Sequence, residues 1–162
     1  MNNEFHTVRG YQLLEQNKDK LTSSMEDYLE MIYRNSLEDG YIRINLLADL
    51  LHVKAASASR MVQKLGEIGL LNYKKYGIII LNENGRKIGE YLLNRHHIIE
   101  NFLRSIGCEE DLLEQTELME HNISSKTAGK IEFLNCFLNN TDIFEKFQEY
   151  KMKNLTVKQV DL

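Results

Sequence analysis

The segment Arg43–Leu81, RINLLADLLHVKAASASRMVQKLGEIGLLNYKKYGIIIL, changes its apolar period partway along, and that change decides the fold. In its first part Ile44, Leu47, Leu50 and Leu51 recur at helical spacing, and after a short break Met61, Val62 and Leu65 do so again, with Gly66 and Gly69 at the fraying end. From Leu70 the residues become β-branched and aromatic, and Lys74-Lys75-Tyr76-Gly77 splits the run as a hairpin turn does. Two helices separated by a tight turn and followed by a basic hairpin describe a winged helix-turn-helix. The second helix turns Ser57, Ser59, Arg60, Gln63 and Lys64 outward, and Lys54, Lys74 and Lys75 flank it. Such a helix fits a DNA major groove while wing lysines reach a phosphate track. The same pattern also suits an ordinary helical subdomain whose lysines are merely solvated.

Charge distribution favours the first reading. The chain of 162 residues carries a net charge of −4, which argues against a phosphate partner when taken as a single number. Between Arg43 and Ile79, however, six bases face two acids, whereas Cys108–Asn122 holds six acids and no Lys or Arg. One region suits an anion and the other a cation. No segment offers the roughly 20 apolar residues needed to cross a bilayer. The beginning MNNEFHTVRG has no apolar stretch of signal-peptide type, and Cys108 and Cys136 stand far apart outside any CxxC spacing. These features suggest a reduced, cytoplasmic protein. The absence of proline leaves long helices uninterrupted, so the fold is expected to be mainly α.

Outward from the deciding segment, Met25, Tyr28, Leu29, Ile32 and Tyr33 give a helix over about Ser24–Asn35, with Ser24 and Asp27 placed as a capping box. Beyond Asn84, a helix of five to six turns ends at Gly107 and brings Ile88, Tyr91, Leu92, His96, Ile99 and Phe102 to one side. Two further helices follow in EEDLLEQTELMEHNIS and SKTAGKIEFLNCFLNN, then a weaker one and a frayed tail. The expected division is an extension over 1–22, with a short helix around YQLLEQ; a winged helix-turn-helix over 23–83; a helical domain over 84–141; and a C-terminal helix and tail over 142–162. The apolar residues of the later helices exceed the needs of a core, which suggests a homodimer.

Candidate metal ligands follow from spacing. Residues three or four apart on a helix have Cβ atoms about 5–6 Å apart, which puts Glu117, Glu120 and His121 on one face and Asp27 with Glu30 on another. His96 sits within an apolar face. Helical carboxylates are solvated more often than they are ligands, and spacing alone does not show that these groups converge. His52 and His97 read as ordinary core or interface histidines.

The stretches SMEDYLEMIY, SRMVQKLGEIGLLNYKKYGIIILNENGRKIG, NRHHIIENFLRSIG and ELMEHNIS, in that order and spacing, resemble the DtxR/MntR family of metal-dependent transcriptional repressors, closest to its manganese-responsive branch, from about Ser24 to Leu138. The resemblance implies that 84–141 is a helical metal-binding and dimerisation domain, and that the dimer binds palindromic operators in double-stranded DNA when loaded with metal. It also implies a metal-ligand set of Asp27, Glu30, His96, Glu117, Glu120 and His121. The iron-responsive branch carries a methionine and a cysteine where this chain has Asp27 and Glu117. Oxygen and nitrogen donors without thiolate suit Mn²⁺, with Fe²⁺, Co²⁺ or Zn²⁺ as alternatives and two bridged ions per subunit conceivable from four carboxylates. The chain's length leads to the expectation of the short manganese type, without the SH3-like domain of the longer iron-responsive members. The chain is also about one residue shorter between Gly107 and Glu117 than the family pattern. An iron-responsive repressor of the same family, or a winged-helix regulator indifferent to metal, are the neighbouring readings. A di-metal enzyme on a helical bundle fits poorly: such sites use Glu-x-x-His, and Leu118 stands three residues before His121.

Overall fold

The computed structural model describes residues 3–17 and 19–158. Its elements are α1 (Asn3–Gln16), α2 (Ser23–Asn35), β1 (Ile42–Arg43), α3 (Ile44–Leu50), α4 (Ala55–Glu67), β2 (Leu71–Lys74), β3 (Ile78–Leu81), α5 (Glu83–Ile106), α6 (Leu112–Glu120), α7 (Ser125–Leu138) and α8 (Thr141–Lys158). The chain divides into two compact units, residues 1–95 and 96–162, and the division falls inside α5. The last four residues of the expected frayed tail lie outside the described residues.

The first unit is the expected winged helix-turn-helix with two additions. Its core joins Leu29 and Ile32 of α2, Leu47 of α3, Val62 and Leu65 of α4, Ile79 of β3, and Ile88 and Leu92 of α5. Each such aliphatic side chain contributes roughly 1.5–3 kcal/mol by leaving water. Leu50, expected inward, is instead exposed, because α3 is short and turns its last residue past the core. The first addition is β1, whose Ile42 and Arg43 pair antiparallel with Ile79 and Ile78 and complete a three-stranded sheet of order β1-β3-β2. The second is α1, which contains the YQLLEQ stretch and buries Leu14 in the same core.

Helix ends here follow local chemistry. Thr22, not Ser24, caps α2, its hydroxyl accepting from Met25 N at 3.3 Å. The helix therefore begins one residue earlier than the serine pair suggests. Helix α4 stops in a Schellman motif: Leu70 N donates to Leu65 O and Gly69 N to Gly66 O, with Gly69 at φ +75°. Of the two glycines expected at the end of this helix, only Gly69 terminates it. The turn between α3 and α4 repeats the motif with His52 at φ +52° in the glycine position.

The second unit has a smaller core, centred on Ile98, Ile99 and Leu103 and completed by Phe102, Ile106, Leu112, Met119, Ile123 and Ile131. Asn135 Nδ2 of α7 donates to Ile98 O at 2.9 Å, and Lys151 Nζ of α8 to Ile106 O at 2.8 Å. The unit leaves large apolar side chains in solvent, including Leu113, Leu118, Phe133, Phe137 and Tyr150, with Phe133 79% exposed. No described helix is long and apolar enough to cross a membrane.

Candidate metal centre and nucleic-acid interface

On the first unit, α4 presents Ser57, Arg60, Gln63 and Lys64 to solvent, with Lys54 at its N-cap and Lys74 and Lys75 exposed on the wing. Ser59, expected among the outward groups, is half-buried, and its hydroxyl lies 3.0 Å from the Tyr73 hydroxyl on β2. It therefore ties the helix to the wing. Tyr73 had no motif to mark it; only the aromatic content of β2 hinted at a packing role. At the wing tip Tyr76 adopts φ +64° and is 89% exposed.

On the second unit, α5 and α6 bring His96 and Glu120 together. His96 Nδ1 lies 3.2 Å from Glu120 Oε2, and His121 Nε2 lies 3.9 Å from Glu120 Oε1. His121 is the C-cap of α6, so its imidazole reaches back beside the last helical residue. Glu120 is 2% exposed. A carboxylate at that depth is costly unless positive charge and hydrogen bonds balance it. Two imidazoles lie beside it, and neutral imidazole nitrogen is a common ligand of first-row divalent metals. Glu117, one turn earlier on α6, is exposed. The three donors that share a face by periodicity therefore differ in depth: Glu120 is buried, His121 half-buried and Glu117 at the surface. Thr116, fully buried beside them, donates its hydroxyl to Leu112 O at 2.8 Å and so satisfies itself within the helix.

Asp27 and Glu30 stand on α2 of the first unit. Glu30 is buried and accepts from Arg34 one turn on, at 2.5 Å. Immediately beside Asp27, Glu26 accepts from the buried Arg95 at 2.8 Å. Cys108 packs with the second unit's apolar cluster and Cys136 is exposed on α7, so the donor set is oxygen and nitrogen. It fits a hard or borderline divalent ion.

Comparison with known proteins agrees with this architecture. Residues 20–79 match the model of the iron dependent repressor N-terminal DNA binding domain, and residues 82–141 that of the iron dependent repressor metal binding and dimerisation domain. The HTH-type transcriptional regulator MntR of Bacillus pumilus (strain SAFR-032) is 41% identical over 122 residues, covering 75% of this chain and 85% of the relative. The protein of the same name from Bacillus subtilis (strain 168) is 39% identical over 126 residues, 77% of this chain and 89% of the relative. The solved structure of the manganese regulator SloR superposes with a TM-score of 0.60 at 31% identity over 68% of this chain; the chain spans 53% of that structure's length. With both domain models matched in order over most of its length, the chain belongs to the iron-dependent repressor family of transcriptional regulators.

Proposed function

We propose that this chain is a manganese-activated repressor that acts as a homodimer on a palindromic operator in double-stranded DNA. The observation that carries the metal assignment is the buried Glu120 carboxylate set against His96 Nδ1 and the His121 imidazole. The similarity to regulators named MntR and to the manganese regulator SloR supports the choice of ion. The proposed ligands are Asp27, Glu30, His96, Glu117, Glu120 and His121. A bound divalent cation supplies the positive charge that four carboxylates lack. Fe²⁺, Co²⁺ and Zn²⁺ suit the same donors, and by the usual stability order several bind more tightly, so selectivity rests on geometry and on which metal is available.

The residues of this chain then have separate tasks. Arg60 and Gln63 of α4 read base edges in the major groove, while Lys54, Lys64, Lys74, Lys75 and Ser57 contact phosphates. The solvent-facing Phe133 and Phe137 of the second unit belong to the self-association face, since contiguous exposed aromatics mark protein contacts. Metal need not touch DNA; the DNA-competent arrangement has only to hold it more tightly than the others do.

Selection from a random duplex pool in Mn²⁺, followed by fluorescence anisotropy on the enriched duplex, tests this reading. The expected results are an inverted repeat and an affinity increase of about 5- to 150-fold between chelator and Mn²⁺, the usual range of such couplings. Equal affinity in the two conditions overturns metal control. On the same duplex, Arg60→Ala is expected to cost about 1–3 kcal/mol and to relax sequence preference, whereas Lys75→Ala lowers the salt slope by about one without changing preference.

A further inference from the structure

Helix α1 precedes both matched domains, which begin at residue 20, yet it is built into the first unit. Gly10 faces α5 so closely that a Cβ there would run into the Lys87 carbonyl oxygen and lie 2.7 Å from Tyr91 Cβ. One residue on, the Tyr11 ring packs against Tyr91 with centroids 5.9 Å apart and planes tilted by 52°. Tyr91 is buried, and burial raises its hydroxyl pKa above the ordinary value. The Arg95 guanidinium lies 6.0 Å from the centre of the Tyr91 ring, and Arg95 Nη2 donates to Glu26 at 2.8 Å. The side chain of Arg95 is 6% exposed and its Nε has no partner among the described residues, so the guanidinium depends on Glu26 and on the aromatic face for its placement.

This chain of contacts ends beside two proposed ligands: Glu26 immediately precedes Asp27 on α2, and Arg95 immediately precedes His96 on α5. We propose that α1 is a positioning element for the metal centre. Through Tyr11 and Tyr91 it keeps the Arg95 guanidinium out of water, and the Arg95–Glu26 pair fixes the turn of α2 that carries Asp27. The inference rests on the metal reading above. A buried ion pair with defined geometry sets the relation of two helices more tightly than a solvated one, because water and salt screen an exposed pair to little net value. Tyr11, Tyr91 and Arg95 are positioning residues and touch no metal themselves.

Electron paramagnetic resonance of free Mn²⁺ measures the affinity directly. The comparison uses the full chain, a variant lacking residues 1–18, Tyr11→Ala and Tyr11→Phe, each checked for helical content by circular dichroism in chelator. The truncated chain and Tyr11→Ala are expected to bind Mn²⁺ about 10-fold more weakly, the lower end of what the loss of a ligand-orienting group costs. Tyr11→Phe keeps the ring and is expected to match the parent, a rescue that general destabilisation by any substitution at this position does not predict. Should the truncated chain lose more helical signal than the fourteen residues of α1 account for, Tyr11→Ala alone decides. Unchanged affinity in a folded Tyr11→Ala overturns the role of α1 and leaves the function intact. No Mn²⁺ binding by the full chain overturns the function reading, and this inference with it.

Discussion

Glu120→Gln is expected to abolish the Mn²⁺ response while leaving the chelated protein folded. The amide keeps the volume of the carboxylate, so the packing around this 2%-exposed side chain survives, and His96 Nδ1 retains a polar neighbour at the same position. What disappears is the charge that a divalent ion requires of its ligands. Loss of groups that merely orient a ligand weakens metal sites about 10- to 100-fold, so loss of a direct charged ligand is expected to exceed about 100-fold. The thermal consequence follows by mass action. At a Mn²⁺ concentration about 100 times the parent dissociation constant, binding stabilises the parent by about 2.7 kcal/mol, and a variant weakened 100-fold gains less than about 0.5 kcal/mol. In chelator the order is reversed or level, because a neutral amide at this depth escapes the desolvation cost of a carboxylate. Scanning calorimetry of both proteins in Mn²⁺ and in chelator checks each half. A full Mn²⁺-induced shift in Glu120→Gln removes Glu120 from the ligand set. Glu117→Ala separates the surface donor from the buried one: exposed on α6, it is expected to be silent in chelator and to lower the response in Mn²⁺.

The contrast between Glu117 and Glu120 also shows how far the sequence reaches. Helical period puts both on one face with His121, but depth is set by the neighbouring core, and α6 ends at Glu120 so that His121 is placed by a cap and not by the repeat. The winged helix-turn-helix was legible because its apolar period changes from helical to alternating between Leu65 and Leu71 and because Gly69 marks the exit from α4. Strand β1 was not, since two residues carry no period; Ile42 and Arg43 become a strand only because β3 offers them a free edge. Ser59 read as a surface group because serine at helical spacing says nothing about a hydroxyl fourteen residues away on β2. For Arg95 and Glu26 the signal was weaker still: their pairing spans sixty-nine positions, and each alone resembles a solvated helix charge.

Gly85→Ala is expected to cost about 2–4 kcal/mol of stability, out of proportion to one methyl group. A Cβ at this position would overlap the Leu70 carbonyl oxygen, approach its carbon to 3.0 Å and meet Leu81 Cδ2 at 3.2 Å. The flexible leucine side chain could yield, but the carbonyl cannot, because Leu70 is held at both ends of its peptide. Its N–H completes the Schellman motif on Leu65 O, and its oxygen accepts from Asn82 N at 3.2 Å. Asn82 is itself fixed, with Nδ2 donating to Gly69 O at 2.6 Å and Oδ1 accepting from Gly85 N at 2.9 Å as the cap of α5. The methyl group must therefore displace the start of α5 from the end of α4, breaking the cap at about 1 kcal/mol and adding an overpacking cost of about 1–3 kcal/mol. Because α5 carries His96 about three turns further along, the displacement is expected to reach the metal response as well as the fold. Urea unfolding of Gly85→Ala in chelator measures the first effect and Mn²⁺ titration of the folded fraction the second. A loss below about 1 kcal/mol means that the α4–α5 junction yields as a unit, and the rigid path from Gly69 through Asn82 to α5 is then wrong.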